Sequence, residues 1–269
     1  MNEVTKKTSG PTEMGNRPRV MDLGCGTGLW MLQMAEEYPN VDYHGFDINY
    51  MLPNTLLSNI EPYVPYDIES PWNMGWGHWN MIHLQLMIGS IINWTYLFQQ
   101  IRRHLMPGGW FESVEIDWQP RCEDGTMNTD PEAPGLLQWW RRVSRAYLVG
   151  HHGLEYHQDI ERELQAHGFK EIQHNTYKIP LCGWHTTDPV LHRVGSWWNI
   201  AMSPGSIDEG CAGLEAMSLR PLLENETGWT PENVRRLCHE AITEASDVRV
   251  HAFNVLHVVT ARAPREDGT

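Results

Sequence analysis

The sequence predicts an α/β fold: a seven-stranded, mostly parallel sheet with crossover helices and a helical insertion before the last strand. Three observations carry that prediction. The first half alternates short apolar strand patterns with helical ones, and strands separated by helices pair in parallel. A glycine-rich turn, "DLGCGTG", sits between the first strand and the first helix. The second half turns helix-rich and then closes on "VRVHAFNVLHVVTAR", whose alternation and β-branched residues mark a final strand.

In chain order, residues 19–23 form the first strand, and a helix over 29–38 follows the glycine turn and stops at Pro39. Residues 41–47 form the second strand, which ends in an acid, and 63–67 a third strand flanked by prolines. "WNMIHL" (79–84) is the fourth strand, and Ile92, Tyr96 and Ile101 give 91–105 helical spacing. "MPGGW" predicts a tight turn at 107–109 that feeds a fifth strand, 110–116. Helices are predicted over 135–148 and 154–167, the second closed by Gly168. Residues 169–180 alternate as a strand. The helix-rich stretch 188–246 is broken by "SPGS", Gly210 and Gly213. The final strand then returns antiparallel to its predecessor. Residues 1–16 and 264–269 carry no pattern that tethers them.

Composition narrows the function. A net charge of −14 argues against a nucleic-acid partner, because phosphate neutralisation needs clustered Lys and Arg. No apolar run reaches the ~18 residues of a membrane span, so no membrane partner is expected. The 5 cysteines are scattered without a CxxC, which is neither a disulfide framework nor a zinc spacing. The chain therefore reads as a soluble cytoplasmic protein. No H-x-x-x-H or Cys/His cluster accompanies the 14 histidines, so no metal site is expected.

A loop that follows a strand and opens a helix is the context in which glycines are informative. Glycine reaches positive φ and lets backbone N–H groups approach a ligand. The spelling is not that of a dinucleotide loop, since Leu29 stands where the third glycine of G-x-G-x-x-G belongs, nor of a P-loop, since no Lys-Ser/Thr follows. It matches D-x-G-x-G-x-G through Asp22, Gly24, Gly26 and Gly28.

That spelling closely resembles the first motif of the Rossmann-like class I S-adenosylmethionine-dependent methyltransferases. The resemblance implies that the loop wraps the amino-acid and ribose part of the cofactor and that Asp22 helps orient it. It also implies that Asp47, with its neighbour Ile48, meets the ribose at the end of the second strand. Hydroxyls donate and a carboxylate accepts, so that pairing is chemically complete. "YDIESPW" resembles the segment that meets the adenine, which carries that role to Asp67 and Ile68. The stretch from "WNMIHL" through "MPGGWFESVEIDWQP" is similar to the LaeA-like group of fungal methyltransferases, associated with secondary-metabolite gene clusters. The likeness covers 19–117 well and continues more loosely to the closing strand.

The implied organisation is a short flexible N-terminus (1–18), one methyltransferase-like domain (19–263) and a tail (264–269). Within the domain, 19–120 is the cofactor half and 121–263 the substrate or cover half. Two departures from the group stand out. Trp79-Asn80 replaces Trp-Asp, and residues 1–18 are too short and polar to replace helices that help close the site in its members. The expectation is a binding half that is intact and a covering half that is reduced.

Substrates of such sheets bind beyond the carboxyl ends of the strands. His83 and Gln85 fall after the fourth strand, and Glu115, Asp117 and Trp118 after the fifth. His151, with His152 beside it, is placed to reach over the mouth. An imidazole titrates near neutrality, so His83 and His151 are candidate general bases. The alternatives are a hydrogen-bonded residue at a strand end for His83 and a solvated pair for His151 and His152. Glu115 and Asp117 face one side, as a paired-carboxylate site or as the polar mouth. Trp139, Trp140, Trp184, Trp197 and Trp198 either stack a planar metabolite or form the core of the insertion; Trp197 is taken as a pocket residue.

The implied function is S-adenosylmethionine-dependent O- or N-methylation of a small, aromatic secondary metabolite. The alternative is an accessory or regulatory protein that steers a secondary-metabolite pathway, of the bisindolylquinone (terrequinone) type, without net methyl transfer. That reading adds a pathway or regulatory protein partner and admits a nuclear location.

Overall fold

The computed structural model describes residues 17–75, 77–130, 132–203 and 212–265. The expectations for the N-terminal residues 1–16, the tail residues 266–269, most of the "SPGS" break, Gly210 and Cys211 fall outside them.

Among the described residues seven strands form one sheet: β1 (Arg19–Leu23), β2 (Asp42–Phe46), β3 (Ile60–Tyr63), β4 (Trp79–Gln85), β5 (Leu105–Arg121), β6 (Lys170–Pro180) and β7 (Phe253–Arg262), in the order β3-β2-β1-β4-β5-β7-β6. β1 pairs in parallel with both β2 and β4, whereas β7 runs antiparallel to β5 and to β6. This is the Rossmann-like, mostly parallel arrangement expected, with its helical insertion between β6 and β7. Strand order reverses between β1 and β4, the place where such sheets open a crevice at their carboxyl ends.

Helix α1 (Leu29–Glu37) covers one face, packing Met31, Met34 and Ala35 onto Val20, Tyr43, Met81 and Trp110. The other face is larger. There α2 (Trp94–His104) buries Leu97, Phe98 and Ile101 against Ile82, Leu84 and Phe111. The remaining helices are α3 (Leu136–Val149), α4 (Ile160–Ala166), α5 (Pro189–Met202), α6 (Gly213–Asn225) and α7 (Pro231–Ser246). Helix α3 packs on α6 and α7, and the Trp139 indole donates to Ser218 Oγ at 2.9 Å across that contact. Local signals set these boundaries. Asn93 caps α2 by accepting from Tyr96 N; Asp188 caps α5 from Val190 and Leu191 N, with Pro189 at the first helical position; Thr230 caps α7 from Asn233 N.

Three expectations shift. The third strand lies at 60–63, not 63–67, because Asp67 folds into a turn: its carboxylate accepts from Glu69 N and Ser70 Oγ. β3 tolerates Pro62 as an edge strand whose one neighbour is β2. The fifth strand starts directly at Leu105; Trp79 pairs with Leu105 but Met81 with Trp110, so the predicted turn at 107–109 is a bulge within the strand. α4 begins at Ile160, later than 154, since Leu154 and Tyr156 are buried from an irregular segment. Among the described residues no helix is long and apolar enough to cross a membrane.

Candidate functional site

The glycine loop leaves β1 through residues in the left-handed region: φ is +69° at Gly24, +53° at Gly26 and +72° at Gly28. Gly24 N and Cys25 N both donate to Phe46 O, at 2.8 and 3.1 Å, which ties the loop to the end of β2. Asp47 completes that tie. Its Oδ2 accepts from Gly26 N and its Oδ1 from Asn49 N, each at 2.8 Å. A Cβ at Gly24 would lie 2.2 Å from Met87 Sδ, so the loop and the segment after β4 are in direct contact.

A cavity of about 270 Å³ opens at this point, at the carboxyl ends of β1, β2 and β4. Of the residues singled out in the sequence, Gly24, Asp47, Ile48, Asp67 and Ile68 line it together. Gly26 and Gly28 shape the loop beside it, and Asp22 lies buried below. Sequence reasoning missed Asn49, Met51, Tyr66, Met87, Ser90 and Ile91 in the same wall. Asn49 and Met51 were discoverable as the residues after the acid of β2. Met87, Ser90 and Ile91 come from the segment after β4, which has no spelling of its own.

Beneath the loop, side chains in register across three strands form a buried polar row: Asp22 on β1, His83 on β4 and Glu112 on β5. His83 is fully buried, with Nδ1 3.0 Å from Glu112 Oε2 and Nε2 3.2 Å from Gln85 Oε1. Trp30 of α1 stacks on its ring at 3.7 Å and 6°. Burial disfavours the imidazolium, but the bond to Glu112, the nearby Asp22 and the bond to Gln85 outweigh it, so the His83 pKa is raised. Asp22 is pushed up to about 6 by burial, which His83 only partly offsets and Asp47 reinforces. Sequence reasoning placed His83 and Gln85 beyond the fourth strand as mouth residues. They lie within β4, where the two ring nitrogens of His83 are spent on Glu112 and on Gln85 Oε1.

The other mouth candidates also move. Glu115 and Asp117 face one side as expected, yet both are buried. Glu115 accepts from Met87 N and Ile88 N, while Asp117 accepts from Arg121 and Gln119 N. Trp118 is half-buried against Trp198, ring centroids 5.5 Å apart. Trp139 and Trp140 belong to the core. Trp197 is 71% exposed on α5, beside Ile179, Val190 and Val194 and away from the residues of the cavity at the glycine loop. His151 is exposed after α3 at φ +65°, and does not line that cavity; His152 lines a separate one with Gly89, Tyr147 and Arg220.

A family model described as a methyltransferase domain matches residues 4–174. The secondary metabolism regulator LAE1 of Cochliobolus heterostrophus is 34% identical over 257 residues, covering 95% of this chain and 80% of that protein. This chain belongs to the LaeA-like methyltransferase family. Within the family, the secondary metabolism regulator laeA of Aspergillus flavus is 36% identical over 91% of this chain. The protein-methionine methyltransferase laeA of Emericella nidulans is equally similar, also at 36% over 91%. The chain spans 63% and 62% of the length of these two relatives. Among solved structures, Haemonchus contortus phosphoethanolamine N-methyltransferase 2, in complex with phosphomonomethylethanolamine and S-adenosylhomocysteine, superposes with a TM-score of 0.54 at 16% identity, covering 97% of this chain and 52% of that one. That likeness is one of fold.

Proposed function

We propose that this LaeA-like chain transfers the methyl group of S-adenosylmethionine and acts in fungal secondary metabolism. The observation that carries the reading is the meeting of Gly24, Asp47–Ile48 and Asp67–Ile68 in one cavity at the switch point of the sheet. The residues fit the cofactor. Each Asp47 oxygen accepts one backbone N–H, so lone pairs remain for two ribose hydroxyls. Gly24 brings bare backbone to the cavity, and Ile48 and Ile68 flank it with apolar surface suited to a purine. Bound there, S-adenosylmethionine supplies a methyl on a positively charged sulfur. The chain's part is to orient it and to hold an acceptor in line, since displacement depends steeply on alignment.

The acceptor expected from the sequence is a small aromatic metabolite methylated at oxygen or nitrogen. Ile48, Tyr50, Met51 and Leu86 are exposed on the segments that border the cavity and offer a ring apolar surface. A hydroxyl acceptor must also lose its proton, and here one observation favours a second reading. His83, the candidate base, is buried with both nitrogens engaged. An acceptor whose lone pair carries no proton, such as a neutral amine or a thioether sulfur, needs no base. The name of the Emericella nidulans relative is in keeping with a protein thioether, and the regulator names of the others with a protein partner. The test is incubation with methyl-labelled S-adenosylmethionine, followed by mass spectrometry of candidate metabolites and of digested protein. A labelled aromatic product supports the first acceptor and a labelled methionine the second. No label in any acceptor favours the accessory role without net transfer.

A further inference from the structure

Glu115 is 2% exposed on β5 and takes no direct part in the cavity described above. Its Oε1 accepts from Met87 N at 2.9 Å and its Oε2 from Ile88 N at 3.3 Å. Those amides begin the segment that joins β4 to α2. Leu86, just before them, sits at φ +56°, a left-handed conformation that residues other than glycine rarely adopt. Its own N–H is held by Val114 O at 3.0 Å. Further along, Gly89 is also left-handed, and a Cβ there would lie 2.8 Å from the Tyr147 ring.

The segment separates two spaces. Met87, Ser90 and Ile91 line the cofactor cavity, while Gly89 lines a second cavity of about 360 Å³ with Tyr147, His152 and Arg220. A strained wall needs an external hold, and Glu115 provides two bonds at its start. We propose that Glu115 is a positioning residue: its ionised carboxylate holds segment 86–91 in the conformation that shapes the cofactor cavity, and protonation releases it. The consequence for cofactor affinity rests on the function proposed above; the hold itself does not.

Burial pushes the Glu115 pKa up to about 7, against the two amide bonds and the more distant His83. Breaking the two amide bonds while the carboxyl stays buried on β5 removes the contribution that lowers this pKa, so the closed segment binds fewer protons than the released one and its hold strengthens as pH rises through neutrality. The surrounding titratable groups are His83 on β4, Asp117 with Arg121 on β5, and His257 opposite on β7. Tyr156 stacks on His257 at 3.5 Å, and His174 on β6 bonds both His257 and Glu161.

The test is amide exchange by NMR at Met87 and Ile88, with rates corrected for the intrinsic effect of pH. In the wild type, protection of both amides rises about tenfold between about pH 6 and about pH 8, as the neutral acceptor becomes a charged one. Glu115→Gln loses that rise, while protection of the β1 amides is unchanged. The Asp22→Asn variant, which removes the other carboxyl that burial raises, retains it. Equal protection at both pH values in the wild type, or an unaltered rise in Glu115→Gln, overturns the proposal; the wild-type profile decides alone if the variant does not fold. Calorimetry then reads the consequence: S-adenosylmethionine binds more tightly at the higher pH in the wild type, and that gain is smaller in Glu115→Gln. Absence of binding at both pH values refutes the cofactor reading, and the exchange rates then decide the hold by themselves.

Discussion

Replacing Asp47 by alanine tests the assignment of the ribose site. The carboxylate accepts from Gly26 N and Asn49 N at 2.8 Å each, so the substitution removes the tie between the loop and β2 as well as the proposed ribose acceptor. A hydrogen bond to a charged group contributes about 1.5–3 kcal/mol. Two ribose hydroxyls at the lower end of that range give about 3 kcal/mol, or on the order of a hundredfold in the dissociation constant. Release of Gly26 and Asn49 adds a smaller penalty, since both amides can turn to water. The assay is calorimetric titration with S-adenosylhomocysteine, run beside its 2′-deoxy analogue. The analogue loses affinity for the wild type but little for Asp47→Ala, because the partner of the missing hydroxyl is already gone. Unchanged affinity in Asp47→Ala, or an equal loss for the analogue in both proteins, would refute this placement of the cofactor.

Two further outcomes follow from the same loop. Gly24→Ala forces a Cβ to φ +69° and to 2.2 Å from Met87 Sδ; the flexible thioether swings aside, but the backbone strain stays. It should cost about 1–2 kcal/mol, lower Tm by roughly 2–8 °C and weaken cofactor binding, read by thermal melts and titration; a Tm equal to that of the wild type contradicts the loop geometry. Asp22→Asn concerns pH. The folded pKa of Asp22 is raised from 3.8 to about 6, so the stability gained by keeping the group neutral is present below 3.8 and lost as pH rises through about 6. The asparagine variant should therefore gain on the order of 1–3 kcal/mol over the wild type near pH 8 and nothing near pH 4, measured by urea unfolding. A difference between the two proteins that does not vary with pH sinks this explanation of Asp22.

What could be read from the chain follows from local physics. Gly24, Gly26 and Gly28 were legible because each occupies a backbone conformation that other residues adopt with strain, so the spelling and the geometry are one fact. β1 was legible for a similar reason: an apolar run that ends in a glycine turn marks its own boundary. Glu115 was visible as an acid on the site-facing half of a strand, but its two amide partners come from a segment more than twenty positions earlier in the chain. No local pattern announces such a pairing. His83 was misplaced because alternation along β4 does not say which face α1 will cover, and Trp30 covers that one. The left-handed Leu86 was hidden altogether, since its residue type argues against the conformation that tertiary contacts impose. The third strand slipped because Pro62 reads as a boundary before 63–67, whereas it lies inside the edge strand 60–63.

The most direct test of methyl transfer from this cavity is a single-turnover reaction with methyl-labelled S-adenosylmethionine, comparing wild type with Asp47→Ala. S-adenosylhomocysteine is quantified alongside the label in metabolite and peptide fractions. The expected result is label in an identified acceptor, matched mole for mole by S-adenosylhomocysteine, and a loss of both in Asp47→Ala that saturating cofactor largely restores. Tight, unreacted S-adenosylmethionine with no label in any acceptor would contradict it and leave a methyltransferase fold at work without methyl transfer.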